Sequence, residues 1–152
     1  MFGKEGKDLY NAKVKKGYWP IGRQRMVMRA VAFAINEFKL HEEVRAYPLK
    51  VIMTKFSGEY YGDSWMHETG YEIRLNSRFN NKRVAQSIFH EMTHVKQFAF
   101  DGLELGSRTD KFRGKKYRRV DYWDAPWEVE ARKMEKKLLR KWKKIVDTTP
   151  YF

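Results

Sequence analysis

Between Arg23 and Leu40 the apolar residues Met26, Val27, Ala30, Val31, Ala34, Ile35 and Phe38 return at steps of three and four. That is the spacing of one buried helix face. Pro20 and Gly22 punctuate its entry. After Pro48 the period changes: Val51 and Met53 alternate with neighbours of the other face over 49–56, which predicts a strand ending at the turn Ser57-Gly58. The aromatic-rich stretch 59–67 predicts a second strand. Tyr71, Ile73 and Leu75 then alternate with Glu72, Arg74 and Asn76, which predicts a half-buried or edge strand.

Asn80 or Asn81 can cap a second long helix, whose apolar face is Val84, Ala85, Ile88, Phe89, Met92, Val95 and Phe98, running to about Phe100 and stopping near Gly102. Residues 103–123 mix Gly106, Gly114, basic side chains and Tyr117, Tyr122 and Trp123, and predict a loop with a short hairpin. Pro126 suits the first turn of a last helix, with Asp124 as its cap and Trp127, Ala131, Met134, Leu138, Trp142 and Ile145 on its buried side.

No repeat and no internal boundary interrupts this order. Helix, small sheet, helix, hairpin, helix predicts one α+β domain over 20–147, with a flexible basic lead-in at 1–19 and a tail at 148–152. A length of 152 residues suits one compact domain. Ten Phe, nine Tyr and five Trp supply more aromatic core than a disordered chain carries.

Cysteine is absent, which removes disulfides, thiolate metal sites and a cysteine nucleophile together. Any metal must be held by His, Asp or Glu, and a reducing compartment fits. Met1 to Lys16 is polar and basic, without an apolar run of signal-peptide type. No stretch approaches the roughly 20 apolar residues that span a bilayer. The expectation is a cytoplasmic protein, or a virion-associated one if phage-encoded, that does not enter a membrane. The formal net charge of +13 implies attraction to nucleic acid, to an anionic membrane surface or to an acidic partner, unless it is only a solvated face.

The chemistry concentrates in His90-Glu91-Met92-Thr93-His94, an H-E-x-x-H pattern inside the second long helix. Two His four apart project from one helix face about a turn apart. So placed, they can share one Zn²⁺ at about 2.0–2.1 Å each. Glu91 sits beside the first ligand, where it can take a proton from the nucleophilic water and pass it to the leaving amine. A catalytic zinc needs a third protein ligand and one open position. His67 on the second strand can line a cleft, though a plain strand His serves as well. Glu128 and Glu130, one turn into the last helix, are the better candidates, because both flank its buried stripe. Leu139 and Val146 widen that stripe toward Glu128.

His90–His94 followed by Gln97, with Trp127-Glu128-Val129-Glu130-Ala131 some thirty residues on, resembles the glutamate-zincin metallopeptidases, and most of all small SprT-like and phage-encoded predicted peptidases. The resemblance covers roughly residues 70–135. It implies a zincin-like single α+β domain, with a small, mostly antiparallel sheet packed on the H-E-x-x-H helix between N- and C-terminal helices. It also implies one Zn²⁺ per chain and hydrolysis of a protein or peptide substrate. The third ligand of that family is a Glu, often with a small residue three positions later, which Glu128 with Ala131 matches and Glu130 with Lys133 does not. The Asp or Asn that often follows the ligand by one turn is here Arg132, a departure that leaves the partner of the metal-bound His unassigned and keeps Glu130 as the alternative. The variant with a third His is excluded, since no His follows His94. The family further implies that the strand Tyr71–Asn76 pairs with extended substrate. Tyr117 and Tyr122 are its candidates for donating to the developing oxyanion, with packing as the plainer role for both.

A reading of another class starts from the charge. Arg108–Arg119 holds Lys115, Lys116, Arg118 and Arg119 with Phe112 and Tyr117 interleaved, and the last helix carries Arg132, Lys133, Lys136, Lys137, Arg140, Lys141, Lys143 and Lys144. Basic patches with aromatics suit nucleic-acid binding, DNA included. On that reading the chain is a nucleic-acid-binding or virion structural protein that keeps a zinc-binding peptidase fold. The two readings are compatible, since SprT-like proteases act on DNA-bound proteins.

Overall fold

A computed structural model describes residues 10–14, 21–118 and 121–148 of the chain. The chain order is β1 (Tyr10–Val14), α1 (Ile21–Phe38), α2 (His41–Ala46), β2 (Leu49–Thr54), β3 (Gly62–His67), β4 (Gly70–Asn76), α3 (Asn81–Phe100), β5 (Glu104–Leu105), β6 (Thr109–Phe112), β7 (Lys115–Arg118) and α4 (Pro126–Thr148). The α+β class expected from the periodicities holds, as do the three long helices within two residues of their expected starts.

Four features differ from expectation. The short α2 was not anticipated. β1 lies inside the stretch read as a lead-in and pairs in parallel with β2, from Tyr10 opposite Leu49 to Val14 opposite Met53; the rest of 1–19, and the tail beyond Thr148, lie outside the described residues. The main sheet is mixed rather than mostly antiparallel, with order β1-β2-β4-β3, β1, β2 and β4 parallel and only β3 antiparallel. Finally, β4 is not an edge. The chain leaves β2, passes through 55–61 to the far side of the sheet, and returns by the β3–β4 hairpin, so β4 fills the gap and β3 takes the edge. Burial explains the choice: Tyr71, Ile73, Leu75 and Asn76 of β4 are buried, whereas no residue of β3 is. Arg74 of β4 faces Asp63 of β3 in register and donates to it from Nε at 2.6 Å, which satisfies the one guanidinium that an internal position must place. Gly62, at the start of β3, admits no side chain, because a Cβ there would lie 2.2 Å from the Arg74 carbonyl oxygen.

The helices cover the face of the sheet that carries Val51, Met53, Ile73 and Leu75. α1 brings Val27, Val31 and Ile35 to this core, and α3 brings Val84, Ile88 and Met92. α4 locks onto both helices through Trp142, whose ring lies 5.5 Å from Phe33 and 6.2 Å from Phe89. A second, smaller cluster of Leu103, Phe112, Ala125 and Trp127 seats the β5-β6-β7 sheet against the start of α4. The turn joining β6 to β7 is Arg113-Gly114, both in left-handed conformation (φ 52° and 78°), the two-residue hairpin type that matches strand twist. Ala125 precedes Pro126 and its carbonyl accepts from the Val129 N–H, so Ala125 stands at the cap position expected for Asp124. Among the described residues no helix is long and apolar enough to cross a membrane.

Candidate metal centre

α3 begins cleanly because the Asn80 side chain accepts from the Arg83 N–H. Ten residues on, it presents His90 and then His94 on one face, their rings 5.0 Å apart. α4 packs against α3, and its buried Trp127 fixes the next residue, Glu128, over the two imidazoles. One Glu128 oxygen lies 3.0 Å from His90 Nε2 and the other 3.0 Å from His94 Nε2. All three ligand atoms fall within 4.8 Å of one another. Tetrahedral bonds of about 2.0–2.2 Å require donor atoms roughly 3.3–3.6 Å apart. His90, His94 and Glu128 can therefore hold a metal ion with small adjustments of rotamer. Glu130 is turned elsewhere: it accepts from Gln97 at 2.9 Å and pairs with Lys96 at 3.3 Å and Arg113 at 2.5 Å. Those cations and donors outweigh its burial and hold its carboxyl below the usual range.

The far nitrogen of each imidazole has a partner. His94 Nδ1 donates to Gln97 Oε1 at 2.7 Å, an orientation set by the Gln97 amide nitrogen, which donates to the Trp127 carbonyl at 3.0 Å and to Glu130. His90 Nδ1 lies 3.5 Å from Glu135, two turns after Glu128 on the same side of α4. Glu135 thus stands where the sequence left the outer partner unassigned. Arg132, one turn after Glu128, instead stacks on the Trp123 ring and donates to the Trp123 carbonyl, holding the 121–125 loop. Carboxylates or amides behind metal-binding His fix ring orientation, and losing one weakens metal binding by about 10–100-fold. Glu135→Ala is expected to weaken metal affinity by that order while leaving the thermal midpoint nearly unchanged, which a competitive chelator titration beside a melting curve measures.

The electrostatics are those of a tight imidazole–carboxylate cluster. Burial opposes charge on His90, but its bonds to Glu128 and Glu135 prevail and push it up to about 10. His94 is raised by the same carboxylate against its own burial. Burial likewise opposes the Glu128 charge, and the two imidazoles overcome it, pulling the carboxyl down to about 2. Glu91 goes the other way: desolvation raises it, against the two His and a hydrogen bond with Ser64.

These groups form part of a cleft of about 680 Å³. Gly62 to Met66 of β3 make one wall, α3 from His90 to Phe98 contributes the floor, and Leu103, Glu104, Leu105 and Tyr122 stand opposite. In the antiparallel register Ser64 lies opposite Ile73, on the helix side of the sheet, which is why it reaches Glu91. Tyr122 is 58% exposed as a whole, yet its hydroxyl hydrogen-bonds Glu128; burial first and that carboxylate next raise its pKa. Tyr117 does not line the cleft. It packs on Trp127, ring centroids 5.5 Å apart. His67 is exposed, 3.8 Å from Glu72, and also lies outside the cleft.

The basic residues singled out in the hairpin do not share one surface. Lys115 lies over the Tyr117 ring, 5.2 Å from its centre, Lys116 and Arg118 occupy the alternate positions of β7, and Arg119 lies outside the described residues. The reading missed Glu135, Ser64 and the structural role of Gln97. Glu135 was within reach, since seven residues is two helical turns from Glu128; Ser64 was not, because its position depends on the strand order. The chain matches no protein-family model, no curated protein and no solved structure in the comparisons.

Proposed function

We propose that the protein is a zinc-dependent metallopeptidase of the glutamate-zincin kind. One observation carries this reading: both oxygens of Glu128 face the Nε2 atoms of an H-E-x-x-H pair at 3.0 Å, with the intervening Glu91 buried in the same cleft. Two imidazoles and one carboxylate with a fourth direction open to a cleft suit catalytic Zn²⁺. When bound, the ion supplies Lewis-acid polarisation of the scissile carbonyl and acidifies a water.

The chain's own groups do the rest. Glu91, next to the first ligand, takes the proton of the attacking water and delivers it to the leaving nitrogen. Its burial keeps it out of bulk water beside the two imidazoles. Tyr122 holds its hydroxyl beside Glu128 at the cleft wall, the side from which it can donate to the carbonyl oxygen as charge develops. β3 offers the free sheet edge for an extended substrate backbone, in place of β4. The cleft also favours peptide over phosphodiester. Of 32 Lys and Arg, none is among the described residues that line it, while Asp63, Glu91, Glu104 and Glu128 are.

Metal-free protein titrated with zinc should take up one ion per chain and gain hydrolysis of casein or a quenched peptide. His94→Ala should abolish both. A chain that binds no zinc at micromolar concentration, or binds one and cleaves no peptide, overturns the reading.

A further inference from the structure

α4 carries different chemistry on its two sides. Its inner side holds Glu128, Glu135, Leu138 and Trp142. Its outer side exposes Lys133, Lys136, Lys137, Arg140 and Lys143. At about 100° per residue these five fall within an arc of about 120°. Lys141, at the margin, pairs with Glu37 at 3.1 Å, whereas none of the five has a carboxylate partner among the described residues. Glu135, the only acidic residue from 133 to 146, faces inward.

The composition of this face selects its partner. Every exposed residue from 133 to 144 is Lys or Arg, and Val129 is the only exposed large apolar residue on the described part of α4. A helix that lies in a bilayer surface needs exposed Trp, Phe or Leu beside its cations. A protein interface needs an apolar centre and is poor in Lys. A row of cations with no apolar anchor fits a regular polyanion. From Lys133 to Lys143 the helix rises about 15 Å, the span of about four phosphates on one strand of a duplex.

We propose that the outer face of α4 binds the phosphate backbone of nucleic acid without reading its sequence. The stripe, rather than the β6–β7 hairpin, is the docking surface. In the hairpin Lys115 lies over the Tyr117 ring and Lys111 is 3.7 Å from Glu104. No Lys or Arg is among the described residues that line the cleft, whereas α4 presents five on one face, so the proposal places the nucleic acid on α4 and not in the cleft. The proposal does not depend on peptidase activity.

The test uses the full chain and random-sequence DNA, duplex and single-stranded, with binding followed by fluorescence anisotropy at 50 and 200 mM salt. Four phosphate contacts give a log–log slope of about −3.6 on duplex, a weakening of roughly 150-fold between the two salt concentrations. Replacing the five residues together (Lys133→Gln, Lys136→Gln, Lys137→Gln, Arg140→Gln, Lys143→Gln) should remove most of that slope, about 3 of the 3.6, with zinc uptake and helical circular dichroism unchanged. The triple variant Lys115→Gln, Lys116→Gln, Arg118→Gln should keep most of the slope. No binding at 50 mM, an unflattened slope in the α4 variant, or loss confined to the hairpin variant overturns the proposal. Binding to phosphatidylserine vesicles but not to DNA overturns it in favour of a membrane surface.

Discussion

Glu91→Gln is expected to keep one zinc per chain and to lower peptide hydrolysis by about 10²–10⁴-fold, the share of a barrier that a positioned acid–base group supplies. The amide is nearly isosteric and can keep a hydrogen bond to Ser64, so the buried site is preserved. It cannot accept the proton of the attacking water. Glu91 is not one of the three residues whose ligand atoms converge, so metal content should not follow activity down. Zinc stoichiometry by atomic absorption beside kcat/KM on a quenched peptide separates the two quantities. A variant that keeps full activity removes Glu91 from the role of base; one that loses zinc together with activity makes Glu91 part of the metal's support.

The second large effect separates two carboxylates two residues apart. Glu128→Ala should cost zinc affinity more than the roughly 10–100-fold expected for loss of an outer partner, because it deletes a donor atom itself. Glu130→Ala should cost zinc much less and act indirectly. Glu130 anchors the Gln97 amide nitrogen at 2.9 Å, and the Gln97 oxygen holds His94 Nδ1 at 2.7 Å. Removing Glu130 leaves Gln97 its bond to the Trp127 carbonyl, so His94 stays oriented, while Arg113 and Lys96 each lose a partner. The expected order of zinc affinities is wild type, then Glu130→Ala, then Glu128→Ala, read by titration against a chelator of known affinity. Equal losses in the two variants, or a larger loss for Glu130→Ala, would reverse the assignment.

The residues that form the helices, and the pair of His on one of them, are legible in the amino-acid order because both follow from local periodicity. The apolar steps of α3 and α4 require one buried face whatever surrounds them, and four-residue spacing places His90 and His94 on a common face in any α-helix. The absence of cysteine, likewise, confines metal ligation to His and carboxylates before any fold is known. Between Glu128 and Glu130 the helical wheel leans toward Glu128 without deciding. Only the packing of α4 on α3 turns Glu128 to the imidazoles and ties Glu130 to Gln97, Lys96 and Arg113.

The sheet shows the opposite case. Alternation in 70–76 identifies a strand but carries no information on its neighbours, and β4 proved internal because β3 crosses to the far side. That crossing puts Ser64 against Glu91 and gives the cleft its free edge. β1 escaped the reading because its partner, β2, lies almost forty residues away, and a parallel pairing leaves no local mark. Glu135 lies two helical turns from Glu128, so the helical wheel puts it on the same side of α4, but only the interface of α3 with α4 brings its side chain, and that of Gln97, to the back of the two imidazoles. Helix periodicity is a property of neighbouring residues along the chain. Strand order, and the choice of which carboxylate faces the two imidazoles, are set by contacts between elements distant in sequence, and those only the tertiary structure decides.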